Sequence, residues 1–598
     1  VVHGVLSMNY YLRQFVHSDK KGENMKTRQI VGAISVALVA SVVAASCGGS
    51  GSEGGADGTP KKGGTINILS NAEQIAHLDP QRNYTGDDLA FAGSTMQRSL
   101  TTYKLEAGDV GSEIVGDLAT DTGTPSADAK VWKFTLKDGI KFEDGSAITC
   151  ADVAYGVSRS FATDVITDGP SYAITFLNVE GEYPGPYKAT AEQQAAYDKA
   201  VTCDGNTITF NLKSTVADFN YTTTLLTFSP VPKAKDTGEK YDMRPVASGP
   251  YKIESYEIGK SLVLVRNDQW DPATDDQRKA YADSIVYNFG LDESAMDERL
   301  IADAGEDQTA VTAGILPENL QTIFEGDEAL AARAVNYYDP FVTYTNLNVK
   351  TLSCLDVRKA IYLALDRDAL RKAGGGPYTG DFADGFIKPA LALDYKKPTQ
   401  LEGLNEDGTP NVEAATAAMA AAEKNCPDVA ARAKAGLKFY YPDTEVWKKA
   451  LAIWIDSMGK AGIKIKPEAV GDPAQYWPTV MNEETDYDIA RGGWAPDWAN
   501  ASTVIPELFT TGGGFNITRN ADDPDYKEFE AKVEEARNTI DRTEQGVKWQ
   551  ELNQYVVDRL WALPGTFTRA QSIWGSKVGG AFQWGPFGAF CYGNLWVK

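Results

Sequence analysis

The sequence predicts a large α/β protein of several folding units or lobes, at least one of them doubly wound. Three observations point there. The chain has 598 residues, more than a single hydrophobic core supports. Its first half carries short alternating strands, whereas its second half alternates helices with strands. Within that second half, 437–465 reads as one complete βαβ unit. Leu437-Lys438-Phe439-Tyr440-Tyr441 is a strand, and Asp443 or Thr444 caps a helix. In that helix Trp447, Leu451, Trp454 and Met458 recur at helical spacing, Gly459 and Gly462 close it, and Ile463-Lys464-Ile465 begins the next strand. Such a unit requires parallel strands and a right-handed crossover. Lobes built this way bind ligands at the carboxyl ends of their strands.

The other elements follow in order. Gly64 to Leu69 alternates and forms a first strand. In 131–137, Trp132, Phe134 and Leu136 share one face, opposite Lys133, Thr135 and Lys137. Asp138-Gly139 then turns the chain, Ile140-Lys141-Phe142 resumes it and Asp144-Gly145 turns it again, a hairpin signature. Thr207 to Leu212 and Leu262 to Arg266 are further strands. Val357 to Leu370 is a helix that places Ile361, Ala364, Leu365 and Leu370 near one face and stops at Gly374-Gly375-Gly376. Val412 to Lys424 is an Ala-rich helix, and Glu528 to Asp541 a charged amphipathic one.

Net charge is −24. Setting aside residues 1–46 removes five basic and two acidic side chains and leaves −27. A surface of that sign repels nucleic acid and anionic lipid heads, so neither is expected as a ligand. Histidine is limited to His3, His17 and His77, which argues against a histidine metal cage or a histidine base. His77 reads as an exposed loop residue. No metal and no cofactor is expected. GxSxG, HExxH and P-loop motifs are missing from the sequence.

The N-terminal region reads as an export signal. From Met25, with Met8 a rival start, Lys26 and Arg28 precede an apolar run from Ile30 to Ala45. Ala44-Ala45-Ser46-Cys47 looks like a lipobox. Cys47 is then the lipidated residue, and two acyl chains suffice for stable anchoring. The Gly/Ser run that follows is a flexible tether. The expected organisation is a precursor segment at 1–46 and a lipidated tether at 47–63. Outside the cytoplasm disulfides persist. Five cysteines remain, and their neighbourhood in sequence favours Cys150–Cys203 and Cys354–Cys426, leaving Cys591 free or buried. Two pairs of buried free thiols are the alternative.

Five ordered segments resemble family 5 of the bacterial extracellular solute-binding proteins, the family of oligopeptide- and dipeptide-binding proteins. They are Leu78-Asp79-Pro80; the stretch 131–153; Ala247-Ser248-Gly249-Pro250-Tyr251; Leu355 to Arg367; and Gly493-Trp494-Ala495-Pro496-Asp497. The resemblance implies a periplasmic-binding-protein-like class II fold, with two hinged lobes and an extra inserted domain. Lobe I would comprise 61–105, 228–290 and 566–598, lobe II the insertion 106–227, and lobe III 291–565. It implies a monomeric receptor that captures peptides in the interlobe cleft and delivers them to ABC permease subunits at the outer face of the cytoplasmic membrane.

It also implies site residues. The aspartate matching Asp497 pairs with a peptide's α-ammonium group, an interaction strengthened in a closing, drying cleft. Gly493 and Ala495 would offer backbone groups to an extended ligand, Trp494 would wall the pocket, and Arg491 is the candidate for the ligand's carboxylate. Trp498, and Tyr84 and Asp87 in lobe I, are weaker candidates. The same fold binds oligosaccharides, opines and metal complexes, and it serves tethered sensors as well as importers. The rival class is a secreted hydrolase, for which two carboxylates could serve as a glycosidase pair.

Overall fold

The computed structural model describes residues 58–471 and 475–598. Cys47 and the signal segment lie outside the described residues. Eleven strands form one sheet. In chain order they are β1 Thr65–Leu69, β2 Tyr251–Glu257, β3 Ser261–Arg266, β4 Ser284–Asn288, β5 Ala310–Ala313, β6 Ala334–Leu347, β7 Gly380–Phe382, β8 Leu437–Pro442, β9 Ile465–Val470, β10 Ile489–Trp494 and β11 Ala562–Trp574. Their spatial order is β9-β8-β10-β6-β11-β5-β1-β4-β3-β2, with β7 added to β11.

Parallel and antiparallel pairs are mixed. β1 runs parallel to both β4 and β5, and its Ile66 and Ile68 are buried in one core with Phe91, Leu264 and Tyr592. At the other end β8 and β9 are parallel, Leu437 facing Ile465, with the helix Glu445–Lys460 as crossover. Thr444 caps that helix by accepting the Trp447 N–H at 3.3 Å. Its Leu451, Trp454 and Met458 bury against Phe439 and Ile465, so the apolar spacing is what seats it.

Two long strands join the halves. β6 and β11 have 14 and 13 residues. The outer part of β6 pairs with β11 near Ile573, and its inner part pairs with both β11 and β10. The register shifts between Tyr338 and Val342, where Asp339-Pro340-Phe341 oppose Thr568 alone. A proline fits such a bulge because it has no N–H to lend to the ladder. Lys388, 3% exposed, fills the bulge. Its ammonium donates to the carbonyls of Asp339, Phe341 (2.8 Å) and Thr568 (2.7 Å) and lies 3.2 Å from the Asp339 carboxylate.

A separate four-stranded antiparallel sheet forms between 124 and 211. Here the structure corrects the hairpin reading in part. Val131–Thr135 pairs with Thr207–Asn211 rather than with 140–142, which instead folds back at the second turn, Lys141 forming an antiparallel bridge with Ala147 across Asp144-Gly145. Asp138-Gly139 does turn the chain, with Gly139 at φ 78°, but Trp132 and Phe134 find their apolar match in Ile208 and Phe210. A second correction concerns the helix read over Val357–Leu370, which is two helices, Leu355–Ala364 and Arg367–Ala373. Asp366 breaks it by capping the second, accepting the Ala369 N–H at 2.8 Å.

Cys150 is bonded to Cys203 and Cys354 to Cys426, with Cα separations of 5.9 and 6.2 Å. Cys591 is a buried free thiol. The aspartate of Leu78-Asp79-Pro80 is structural: fully buried, it holds Arg159 through Nη1 at 2.8 Å and Nη2 at 2.6 Å. His77 is half-buried rather than exposed, its Nδ1 2.8 Å from Asp242. No described helix is long and apolar enough to cross a membrane.

Candidate functional site

β10 ends in the site. It is antiparallel to β6, with Arg491 opposite Thr345, Gly492 opposite Tyr344 and Trp494 opposite Val342. Glycine is required at 492, because a Cβ there would lie 2.1 Å from the Tyr344 ring. Gly493 faces Thr343 in the ladder, and Ala495 follows at the strand's carboxyl end, half-buried.

The Trp494 indole is 8% exposed. Its N–H donates to the Thr503 carbonyl at 2.6 Å, and its ring centroid lies 4.8 Å from that of Phe515. Trp494 thus anchors the returning loop, with its polar atom already engaged.

Asp497 stands at the tip of that loop. One carboxylate oxygen accepts the Tyr84 hydroxyl at 2.5 Å and the other accepts the Tyr172 hydroxyl. Tyr84 precedes the helix Gly86–Thr95, whose first turn contains Asp87, and Tyr172 opens the short helix Tyr172–Phe176. Three remote segments therefore converge on one carboxylate. Burial pushes the Asp497 carboxyl up to about 6, against the lowering effect of the two hydroxyls. Both tyrosines are pushed well above their ordinary range, by burial first and then by the Asp497 charge. Neither Asp497 nor Glu507, whose charge also acts on it, forms an ion pair among the described residues.

The next residues clamp the loop to the 103–221 region. Trp498 donates to Asp218 at 2.8 Å and meets Tyr172 edge-on at 4.7 Å. Ser502 also donates to Asp218, and the Ala499 N–H reaches the Tyr103 hydroxyl at 2.9 Å.

Arg491 lies in an aromatic box. Its guanidinium is 5.1 Å from the Tyr476 and Trp477 ring centres and 5.6 Å from that of Trp447. Nε and Nη2 have no hydrogen-bond partner among the described residues. Burial lowers its pKa, opposed by Tyr476 and Tyr344 and by no carboxylate among the described residues. A cation so placed has exchanged water for ring faces.

Sequence reasoning missed Tyr172, Asp218, Glu507 and the aromatic box. Trp447 was legible only as a core position of its helix, and no local pattern marks the other residues.

A large mixed α/β sheet crossed by two long strands, with a second, antiparallel sheet inserted before it closes, is a periplasmic-binding-protein-like fold. Residues 113–516 match the bacterial extracellular solute-binding proteins, family 5 (middle region). That match covers more than half of the chain, and the protein belongs to this family, one of solute-binding proteins rather than enzymes.

Curated relatives agree along most of their length. The chain is 26% identical over 510 residues to the probable D,D-dipeptide-binding periplasmic protein of Escherichia coli, covering 82% of this chain and 86% of that one. It is 23% identical over 548 residues to the oligopeptide-binding protein OppA of Bacillus subtilis, covering 89% and 93%. Among solved structures it resembles the clavulanic acid biosynthesis oligopeptide binding protein 2, with TM-score 0.79 and 27% identity over 90% of this chain and 96% of that one. The unliganded open form of the murein tripeptide binding protein MppA shares the fold, with TM-score 0.69 and 19% identity over 90% and 98%.

Proposed function

We propose that this protein is the lipid-anchored receptor of an ABC importer and captures peptides between two lobes that close over them. The observation that carries the reading is the Asp497 carboxylate, held by hydroxyls from 84 and 172 with no cation beside it among the described residues. A peptide's α-ammonium is the complement of such a group, and its pairing offsets the burial that raises the carboxyl. Arg491, with free donors in its aromatic box, takes the ligand's terminal carboxylate. Gly493 and Ala495 present backbone groups between them, with the Trp494 ring as wall and Tyr84 as second support of the ammonium site. Relatives named for dipeptide and oligopeptide binding support the peptide class.

In this reading lobe I is 61–105, 228–290 and 566–598, lobe II is 106–227 and lobe III is 291–565. The β6/β11 ribbon is the hinge, because bending two strands at a bulge disturbs the fewest packed contacts. Cys47 carries the lipid, residues 47–63 are the tether, and the permease reads the closed form.

Calorimetry on the mature protein with a tripeptide library and its N-acetylated counterpart tests the proposal. Free-amine peptides bind roughly 100-fold more tightly than their acetylated counterparts. Equal binding of both sets, or a ligand recovered cleaved, overturns it.

A further inference from the structure

Next to Asp497, Trp498 has both its polar atom and its ring engaged by the protein. The side chain is 5% exposed. Its N–H donates to Asp218 at 2.8 Å, and the Tyr172 ring meets it edge-on at 4.7 Å. It lies in one apolar cluster with Ala90, Leu105, Trp584, Ala589 and Cys591. In the division proposed above, those five residues belong to lobe I, Asp218 and Tyr172 to lobe II, and Trp498 to lobe III. Each side of the contact is braced within its own part of the chain. The loop carrying Trp498 is held by the Trp494 N–H on the Thr503 carbonyl at 2.6 Å, by Asn500 Nδ2 on Gln545 at 3.1 Å and by the Ala501 N–H on Asp394 at 2.8 Å. Opposite it, the Trp584 N–H donates to the Lys104 carbonyl at 3.0 Å. Separating the two would therefore draw a plug from a socket without unfolding either.

Resting on the peptide reading above, we propose that Trp498 is the latch of the closed cleft, a plug that docks lobe III into a socket of lobes I and II and holds every ligand alike. An indole withdrawn from water on closing supplies a large apolar gain, and its N–H gives the buried Asp218 carboxylate a donor. Neither gain involves the ligand. Capture by the open protein comes before the plug seats, so the latch acts on escape and its loss is read in koff. A role confined to packing one rigid body would lower the melting temperature and leave koff where it is. A role in touching the ligand would change koff for some peptides and not for others.

The test is stopped-flow kinetics on the mature protein with two free-amine tripeptides of different side chains, drawn from the binders of the library above. Trp498→Ala should raise koff for both by the same factor, roughly 100-fold or more. Trp498→Phe, which keeps a ring and loses the N–H, should raise it roughly tenfold, and kon should stay within about threefold in each. Thermal melting checks that the variants fold, and Trp498→Phe carries the test should Trp498→Ala fail to. An unchanged koff in a folded variant overturns the latch and leaves the peptide reading intact, as does a change confined to one peptide. A library without a single binder overturns the two together.

Discussion

Replacing Asp497 with asparagine isolates the charge from the shape of the proposed ammonium site. The amide keeps an oxygen for the Tyr84 hydroxyl, and the Tyr172 hydroxyl can rotate to accept. The size of the effect follows from the carboxyl itself. Moving its pKa from 3.8 to about 6 corresponds to at most roughly 3 kcal/mol of opposition to an ionised, unpaired carboxylate in the empty closed cleft, lessened where water still reaches it. A ligand ammonium must offset that cost in the wild type, and in Asp497→Asn it meets no anion at all. Breaking a buried pair by removing one partner costs about 3 kcal/mol or more, so free-amine peptides should lose roughly 100-fold in affinity. Acetylated peptides should lose less than about tenfold. Calorimetry on both ligand sets, with melting curves to confirm folding, decides the matter. Equal losses for free and acetylated peptides would refute the assignment of Asp497 to the amine.

The same carboxyl sets a pH dependence. Its raised pKa favours the protonated, empty closed form below about pH 6 and opposes that form above it, whereas an ammonium ligand requires the ionised form. Affinity for free-amine peptides should therefore fall as pH drops from 7 to 4, by up to about tenfold per pH unit below 6, while acetylated controls stay flat in calorimetry. Arg491→Met should weaken peptides with a free carboxyl terminus by roughly 10- to 100-fold relative to C-amidated ones in the same assay. Lys388→Met should cost about 3 kcal/mol in urea unfolding, because the carbonyls of Asp339, Phe341 and Thr568 lose their shared donor. Burial lowers the Lys388 ammonium from 10.5 to about 8, so the unfolded chain holds that proton more tightly. Its contribution to stability rises with pH between about 8 and 10, and the rise should be missing from the variant. Replacing Cys150 and Cys203 with serine opens a loop spanning 53 residues and should lower stability by up to about 4 kcal/mol in the chain-entropy account, read as a lower urea midpoint.

The elements that periodicity specifies strongly were legible. The helix Glu445–Lys460 and its flanking parallel strands could be read because Trp454 and Met458 repeat at helical spacing and Thr444 caps locally. What failed was pairing across long separations. Trp132 and Phe134 announce a strand, but nothing near them names Ile208 and Phe210 as partners, and the adjacent Asp138-Gly139 turn suggested the wrong one. Asp366 belongs to the apolar run 357–370 by position, yet its side chain prefers to cap, which splits the helix. At the site, Asp497 was visible through its neighbours in the chain. Tyr172 was not, because tyrosine 325 residues away carries no local mark of facing a carboxylate. The Arg491 box was hidden for a related reason: Trp447, Tyr476 and Trp477 read as ordinary core aromatics until the fold puts a cation among them.

These long separations bear on how the proposed receptor avoids closing empty. Tyr84 and Tyr172 reach Asp497 only when the loop after β10 lies against both of their segments, so the proposed ammonium site would be complete only in a closed form. The side chains of Trp498 and Ser502 join the same regions through Asp218 rather than through the Asp497 carboxylate, and they favour closure whatever the ligand. Asp497 opposes it at neutral pH, since burial raises its carboxyl and it has no paired cation among the described residues. A ligand shifts such an equilibrium only by its differential affinity for the two states, and here a cationic amino end supplies that difference by removing the opposing charge. Asp218→Asn should accordingly weaken every peptide by a similar factor, acetylated or not, while Asp497→Asn weakens only those with a free amine. Small-angle scattering should find the Asp497→Asn protein more closed without ligand than the wild type at pH 7, and an unchanged or more open empty form would contradict this division of roles.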